Sequence, residues 1–263
     1  MPTEAIVKET IIYEQPLNEP MRICLRLEHL FNQFKQHINQ SNQDSSKLAV
    51  SALIKSLDVI SRPDLKSKFT QMLTQQATTL TQLEQFSQVD PKRLQNILGQ
   101  LDQLISSFHG RKGRIGESLR TNEFLNQIRL RHNNPGGLCA YSTPAYTLWL
   151  KKSAKERKKD LEMWASEFSE LQRIVDLTLF LTRNSTEACQ VIAKDGFYQQ
   201  NLDPSLPCEI IRIETHTAYN VFPEFSVGRH RLAIRFLEPN YQDNGRSIQT
   251  DNDIAFELSC CRI

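Results

Sequence analysis

A change of hydrophobic period divides this chain, and it restricts the fold more than any single motif does. Up to about Arg183 the apolar residues recur three and four positions apart, and from Glu187 onward they alternate. The first spacing buries a stripe of an α-helix, and the second buries one face of a β-strand. Both periods together call for an α+β fold, a helical N-terminal body followed by an antiparallel β region. With 263 residues, 39% of them hydrophobic, the chain can build a core of useful size in one or two domains.

Caps and prolines punctuate the helical part. Asn18 stands before a run in which Met21, Cys24, Leu25, Phe31, Phe34 and Ile38 share a face. A polar loop is expected from Asn39 to Ser46, then a second helix through Leu48, Ala52, Leu53, Leu57 and Ile60. Ser61-Arg62-Pro63-Asp64 reads as a helix restart, and Asp90-Pro91 repeats the cap-then-proline signal before Leu94, Leu101 and Leu104. These first hundred residues are expected to form antiparallel helices. A further helix is expected from Asn122 to His132, and a short one after Pro144. The capping box Ser153-Ala154-Lys155-Glu156 opens one long helix to about Arg183. Lys151, Lys152, Lys155, Arg157, Lys158 and Lys159 crowd its start, where the helix dipole disfavours cations, so they read as a solvated face or a site for an anionic partner.

In the β part, Thr10 to Glu14 suits a strand ended by Pro16, and turn signals at Asp203-Pro204, Pro223, Gly228, Pro239-Asn240 and Asn244-Gly245 separate later runs. The sharpest run is Gly228 to Phe236. Its alternation sends Leu232, Ile234 and Phe236 inward, and Arg229, Arg231, Ala233 and Arg235 outward. Alternate side chains on a strand stand about 6.6 Å apart, so three guanidiniums would form a row able to grip an acidic ligand. Asp253 and Glu257, outward on the last run, would offset part of that row if their strand lies beside it.

Several function classes lose support here. The formal net charge of +2 argues against coating nucleic acid by bulk charge. Six cysteines without metal spacing read as reduced cytosolic thiols, and no window is long and apolar enough to span a bilayer. Catalytic signatures of hydrolases, metalloproteases and dinucleotide enzymes are missing, as is Ca²⁺-loop spacing. The basic run Gly110 to Gly116 lacks the Gly-Lys-Ser/Thr ending of a phosphate loop and follows a helix, so it reads as a connector. No enzyme activity, small-molecule substrate or cofactor is expected.

A resemblance gathers these pieces. Gln15-Pro16-Leu17-Asn18-Glu19, Met21-Arg22, Leu25-Arg26-Leu27-Glu28, Pro135-Gly136-Gly137, Trp149-Leu150, Asp195-Gly196-Phe197-Tyr198-Gln199, Arg231 to Phe236 and Phe256-Glu257-Leu258-Ser259-Cys260-Cys261 occur in this order along nearly the whole chain. Together they resemble the ZapD family of bacterial division proteins associated with the Z-ring. The resemblance implies a helical domain over 16–185 and a β domain of 5–15 plus 186–263, the N-terminal strand joining the C-terminal sheet. It also implies a homodimer in the cytoplasm, at the mid-cell division ring, that binds the C-terminal tail of the tubulin-like GTPase FtsZ and cross-links its protofilaments. For the tail site it points to Arg229, Arg231 and Arg235 from the sheet and to Arg62, at a helix junction facing them. Arg26 and Arg22 follow as second-rank candidates. Where relatives can carry Arg and His, this chain has Glu123 and Thr147. The alternative from another class is a nucleic-acid-binding module using the same arginines on phosphates; aromatic residues for base stacking are sparse on that face.

Overall fold

The computed structural model describes residues 9–86, 89–111, 113–242 and 245–262. Residues 5–8 of the expected β segment, Lys112 of the basic connector and Asn244 of the expected Asn244-Gly245 turn lie outside the described residues. The chain is an α+β protein, 53% helical, with its helices first and its antiparallel sheets toward the C-terminus. Its contacts divide it into two compact units, Ile23–Leu179 and a second drawn from Met1–Arg22 and Phe180–Ile263.

The helices are α1 (Glu19–Ile38), α2 (Gln43–Val59), α3 (Leu65–Gln82), α4 (Pro91–Gly110), α5 (Glu117–Thr121), α6 (Glu123–His132), α7 (Pro144–Leu150), α8 (Ala154–Ser166) and α9 (Ser169–Arg183). Asn18 caps α1 by accepting from the Met21 N–H at 2.9 Å. Asp90 caps α4 through the Lys92 and Arg93 N–H groups. Helix α2 begins inside the expected loop, because Asn42 accepts from the Ser45 N–H at 2.7 Å and starts the helix ahead of the apolar stripe. α3 and α4 meet through Phe69 and Phe108, whose ring centroids are 6.4 Å apart.

The long helix expected from Ser153 to Arg183 is two helices. At the junction the Phe168 N–H turns back to the Ala165 carbonyl, and the Gln172 N–H resumes helical bonding at Phe168. The break lets two aromatic side chains find separate partners. Trp164 packs on Trp149 and Phe124 at 5.6 Å, while Phe168 packs on Phe31 at 5.9 Å.

Arg157, grouped by sequence with the solvated lysines, is instead 4% exposed. Its guanidinium donates to the Ser41, Leu150 and Lys152 carbonyls and to Ser46 Oγ. Two of those carbonyls lie at the C-terminal end of α7, where helix acceptors lack intrahelical partners and a cation is favoured. Lys152 pairs with Asp160 at 2.9 Å and Lys158 with Glu162 at 3.8 Å, so the basic run is partly neutralised. In the connector, Arg111 pairs with Glu170 at 3.0 Å. Gly116 adopts φ +68°, and a Cβ there would stand 2.7 Å from Leu57 Cδ2, which explains the glycine without a phosphate ligand.

The second unit contains β1 (Thr10–Pro16), β2 (Cys189–Ala193), β3 (Phe197–Asn201), β4 (Ile210–His216), β5 (Phe222–Val227), β6 (Arg231–Glu238), β7 (Ile248–Gln249) and β8 (Ile254–Cys261). One sheet has the order β1-β4-β8-β2, and the other β3-β6-β5 with β7 beside β6. The N-terminal strand therefore joins the C-terminal sheet, antiparallel to β4. Pro16 is the last residue of β1, as expected, and still pairs with Ile210. Pro223, expected as a turn, lies within β5 opposite Phe236. Both prolines sit on edge strands, where a missing N–H costs no ladder bond on the open side. Ile211, Ile213, Phe256 and Leu258 from the first sheet and Leu232, Ile234 and Phe236 from the second form one buried core.

Candidate functional site

Strand β6 is the middle of its sheet, and its alternation is clean: Leu232, Ile234 and Phe236 are fully buried while Arg231 and Arg235 are exposed. Phe236 anchors it inward against Phe256, ring centroid to centroid 5.0 Å. Gly196 fixes the other side of this strand. Its backbone bonds to both Phe236 and Asn252, its φ is +67°, and a Cβ would lie 2.6 Å from the Thr250 carbonyl oxygen. A strand held this way presents its outward side chains from a rigid base.

The outward grid follows from register. Across from Arg235 stand Phe197 on β3 and Glu224 on β5; across from Ala233 stand Gln199 and Ser226; across from Arg231 stands Asn201. The small Ala233 and Ser226 lower the floor between two arginines that are four residues, about 13 Å, apart along the strand. A groove of about 590 Å³ runs there, lined by Phe197, Glu224, Ser226, Arg231, Ala233 and Arg235 among others. Arg231 donates to the Gln199 side-chain oxygen. Arg235 and Arg229 make no ion pair or side-chain hydrogen bond with a described residue. The groove can thus receive an extended acidic segment, with carboxylates at the two arginines and small apolar side chains on the floor.

Arg229 is not part of the strand row. It sits with His230 at the tip of the β5–β6 hairpin, closed by the Gly228 N–H donating to the Arg231 carbonyl at 2.8 Å. The expected offset by Asp253 and Glu257 is also corrected, since β8 belongs to the other sheet. Glu257 faces Glu214 and Gln190 there, and Asp253 accepts from the Asp195 N–H. The acid beside the arginines is Glu224. Reading Pro223 and Gly228 only as turns hides the strand between them; the available signal is Glu224 and Ser226 alternating with the core-facing Phe225 and Val227.

The other candidates are dispersed. Arg22 and Arg26 are one turn apart on α1; Arg22 pairs with Glu19, and Arg26 is exposed. Arg62 is exposed in the turn between α2 and α3, in the helical unit. There it adds to the field that keeps the Asp64 carboxyl below its ordinary value, after the dominant hydrogen bond from Lys68. Among the described residues, no group of three or more His, Cys, Asp or Glu could hold a metal ion, and no helix is long and apolar enough to cross a membrane.

Fold and site together define a two-unit α+β protein with a rigid basic groove on one sheet. The ZapD family profile, described as cell division protein, matches residues 25–235. Relatives named cell division protein ZapD align over nearly the whole chain. The one from Coxiella burnetii strain RSA 331 is 48% identical over 98% of this chain and 100% of its own length. The one from Methylococcus capsulatus is 32% identical over 97% and 99%, and that of Cupriavidus pinatubonensis 34% over 95% and 99%. The chain belongs to the ZapD family, and its role lies in cell division.

Proposed function

We propose that this protein binds the C-terminal tail of FtsZ in the β3–β6–β5 groove and, as a cytoplasmic homodimer at the mid-cell ring, cross-links FtsZ protofilaments. The observation that carries the reading is the pair Arg231 and Arg235, exposed on a stiff strand on either side of a low floor. Charge-assisted hydrogen bonds from guanidinium to carboxylate are about twice as strong as neutral ones, and a rigid strand adds little ordering cost to them. Arg229 at the hairpin tip extends the basic surface. Arg62, Arg26 and Arg22 are further candidates for contact with the tail or with the second subunit. Two identical sites in a dimer convert a second tail-binding step into an intramolecular one, which is how separate filaments become tied.

Cosedimentation with FtsZ and GTP tests this, with tail-deleted FtsZ as the comparison. Bundling that requires the tail supports the reading, and equal bundling without the tail refutes it. Arg231→Glu is expected to weaken binding of a tail peptide at least tenfold, the loss of roughly 1.5–3 kcal/mol from one charged contact. Unchanged affinity with unchanged circular dichroism would remove the groove from the site. Tail-independent binding to DNA, falling steeply with salt, would instead favour the nucleic-acid alternative.

A further inference from the structure

The six cysteines are free, and two of them share a polar setting at one end of the β unit. Cys208 precedes β4, and Cys260 is near the end of β8; both are partly exposed. Arg262 Nε donates to Cys208 Sγ at 3.4 Å. Gln200 Nε2 donates to Cys260 Sγ at 3.2 Å, and Gln200 is itself held by the Tyr198 hydroxyl at 2.9 Å. The Glu209 N–H, one residue from Cys208, donates to the carbonyl of Cys261, one residue from Cys260, at 2.8 Å, and Cys208 and Cys260 pack against the same core.

We propose that Cys208 and Cys260 form an oxidant-sensitive pair, in which Cys208 reacts first with a peroxide and Cys260 resolves the product to a disulfide. A thiolate is the species that attacks a peroxide, and the Arg262 guanidinium lies 3.4 Å from the Cys208 sulfur. Burial, and then the neighbouring Cys208, push the Cys260 thiol up to about 11, so Cys260 stays protonated at neutral pH and is the later participant. The steps balance. The Cys208 thiolate attacks one peroxide oxygen, the O–O bond breaks, and hydroxide leaves and takes a proton to become water, giving Cys208 sulfenic acid. Cys260 sulfur then attacks Cys208 sulfur, the S–O bond breaks, and the departing hydroxide takes the Cys260 proton as a second water. Two thiols are oxidised and one hydrogen peroxide is reduced.

The test treats the full chain with hydrogen peroxide at pH 7, blocks residual thiols with N-ethylmaleimide, and maps tryptic peptides without reduction. The expected result is a link between peptides 195–212 and 247–262, two mass units below the sum of the reduced pair. Fragmentation should place that link at Cys260, not Cys261. It should persist in Cys189→Ser and vanish in Cys208→Ser. A link through Cys189 or Cys261, or recovery of Cys208 unmodified while other thiols react, overturns the assignment. In the wild-type fold, Arg262→Gln should slow alkylation of Cys208 about threefold; an unchanged rate overturns the role given to the guanidinium.

Discussion

Glu224 gives the most discriminating test of the groove, because it separates a peptide site from a merely basic surface. It stands directly across from Arg235 on β5, exposed, with no ion pair to a described residue. Side chains in such register hold their charges about 6 Å apart, and at the dielectric of water that is worth about 0.7 kcal/mol. A tail carboxylate arriving at Arg235 meets repulsion of this order from Glu224. Glu224→Gln keeps the shape and removes the charge, so it should tighten a labelled FtsZ tail peptide about threefold. Fluorescence anisotropy at low ionic strength reads the change. The Debye length falls from about 10 Å at 0.1 M salt to about 3 Å at 1 M, so the gain should disappear at high salt. Weaker or unchanged binding by a folded Glu224→Gln protein would refute the claim that Arg235 meets an acidic ligand. A gain of the same size in an Arg235→Ala background would refute it as well, since the coupling has then been lost at no cost.

Other perturbations follow from buried groups. Arg157→Ala removes a guanidinium that serves three carbonyls and one hydroxyl, and should cost about 3 kcal/mol. At about 2–4 °C per kcal/mol for a chain of this size, thermal melting should drop by about 6–12 °C; a shift under 2 °C would contradict the capping role. Burial raises the Glu209 carboxyl, only partly offset by Thr182, so its folded value exceeds its unfolded one. The stability linked to it is complete below the ordinary carboxylate value and is lost as pH rises through the raised folded value. Glu209→Gln should therefore raise the melting temperature more at pH 7.5 than at pH 4, and an equal shift at both would sink the assignment.

The parts of the fold that sequence made legible are those where one local signal decides. The caps at Asn18, Asp90 and Ser153 and the alternation of β6 each needed only a few adjacent residues. What escaped depends on contacts distant in sequence. Arg157 looks like one more cation in a lysine run, and only the arrival of Ser41 and Ser46, more than a hundred residues away, makes it a buried donor. The break at Phe168 preserves the apolar stripe on both sides, so periodicity passes over it. Pro223 marks an edge strand only once β6 is known to lie beside it. The arginines of β6 were visible, but their neighbours were not, because the pairing of two sheets decides whether Glu224 or Glu257 stands opposite.

That pairing bears on how tightly one groove would hold a tail. A row of three unopposed arginines would make a strong, indiscriminate anion site. Here the strand carries two, one already donating to Gln199 and the other facing Glu224, while Arg229 is set apart at the hairpin tip. Each attenuation is small, and in the proposed role both would weaken the hold of a single groove on a tail. In the proposed role this is useful. A cross-linker whose single sites are weak gains its hold from two at once, so binding becomes steep in the local density of tails and reverses when filaments separate. A monomeric variant should then keep the affinity of the wild type for an isolated tail peptide while losing bundling. If the two losses occurred together, the dimer would be completing the groove itself, and the bivalent account would have to give way to one shared site.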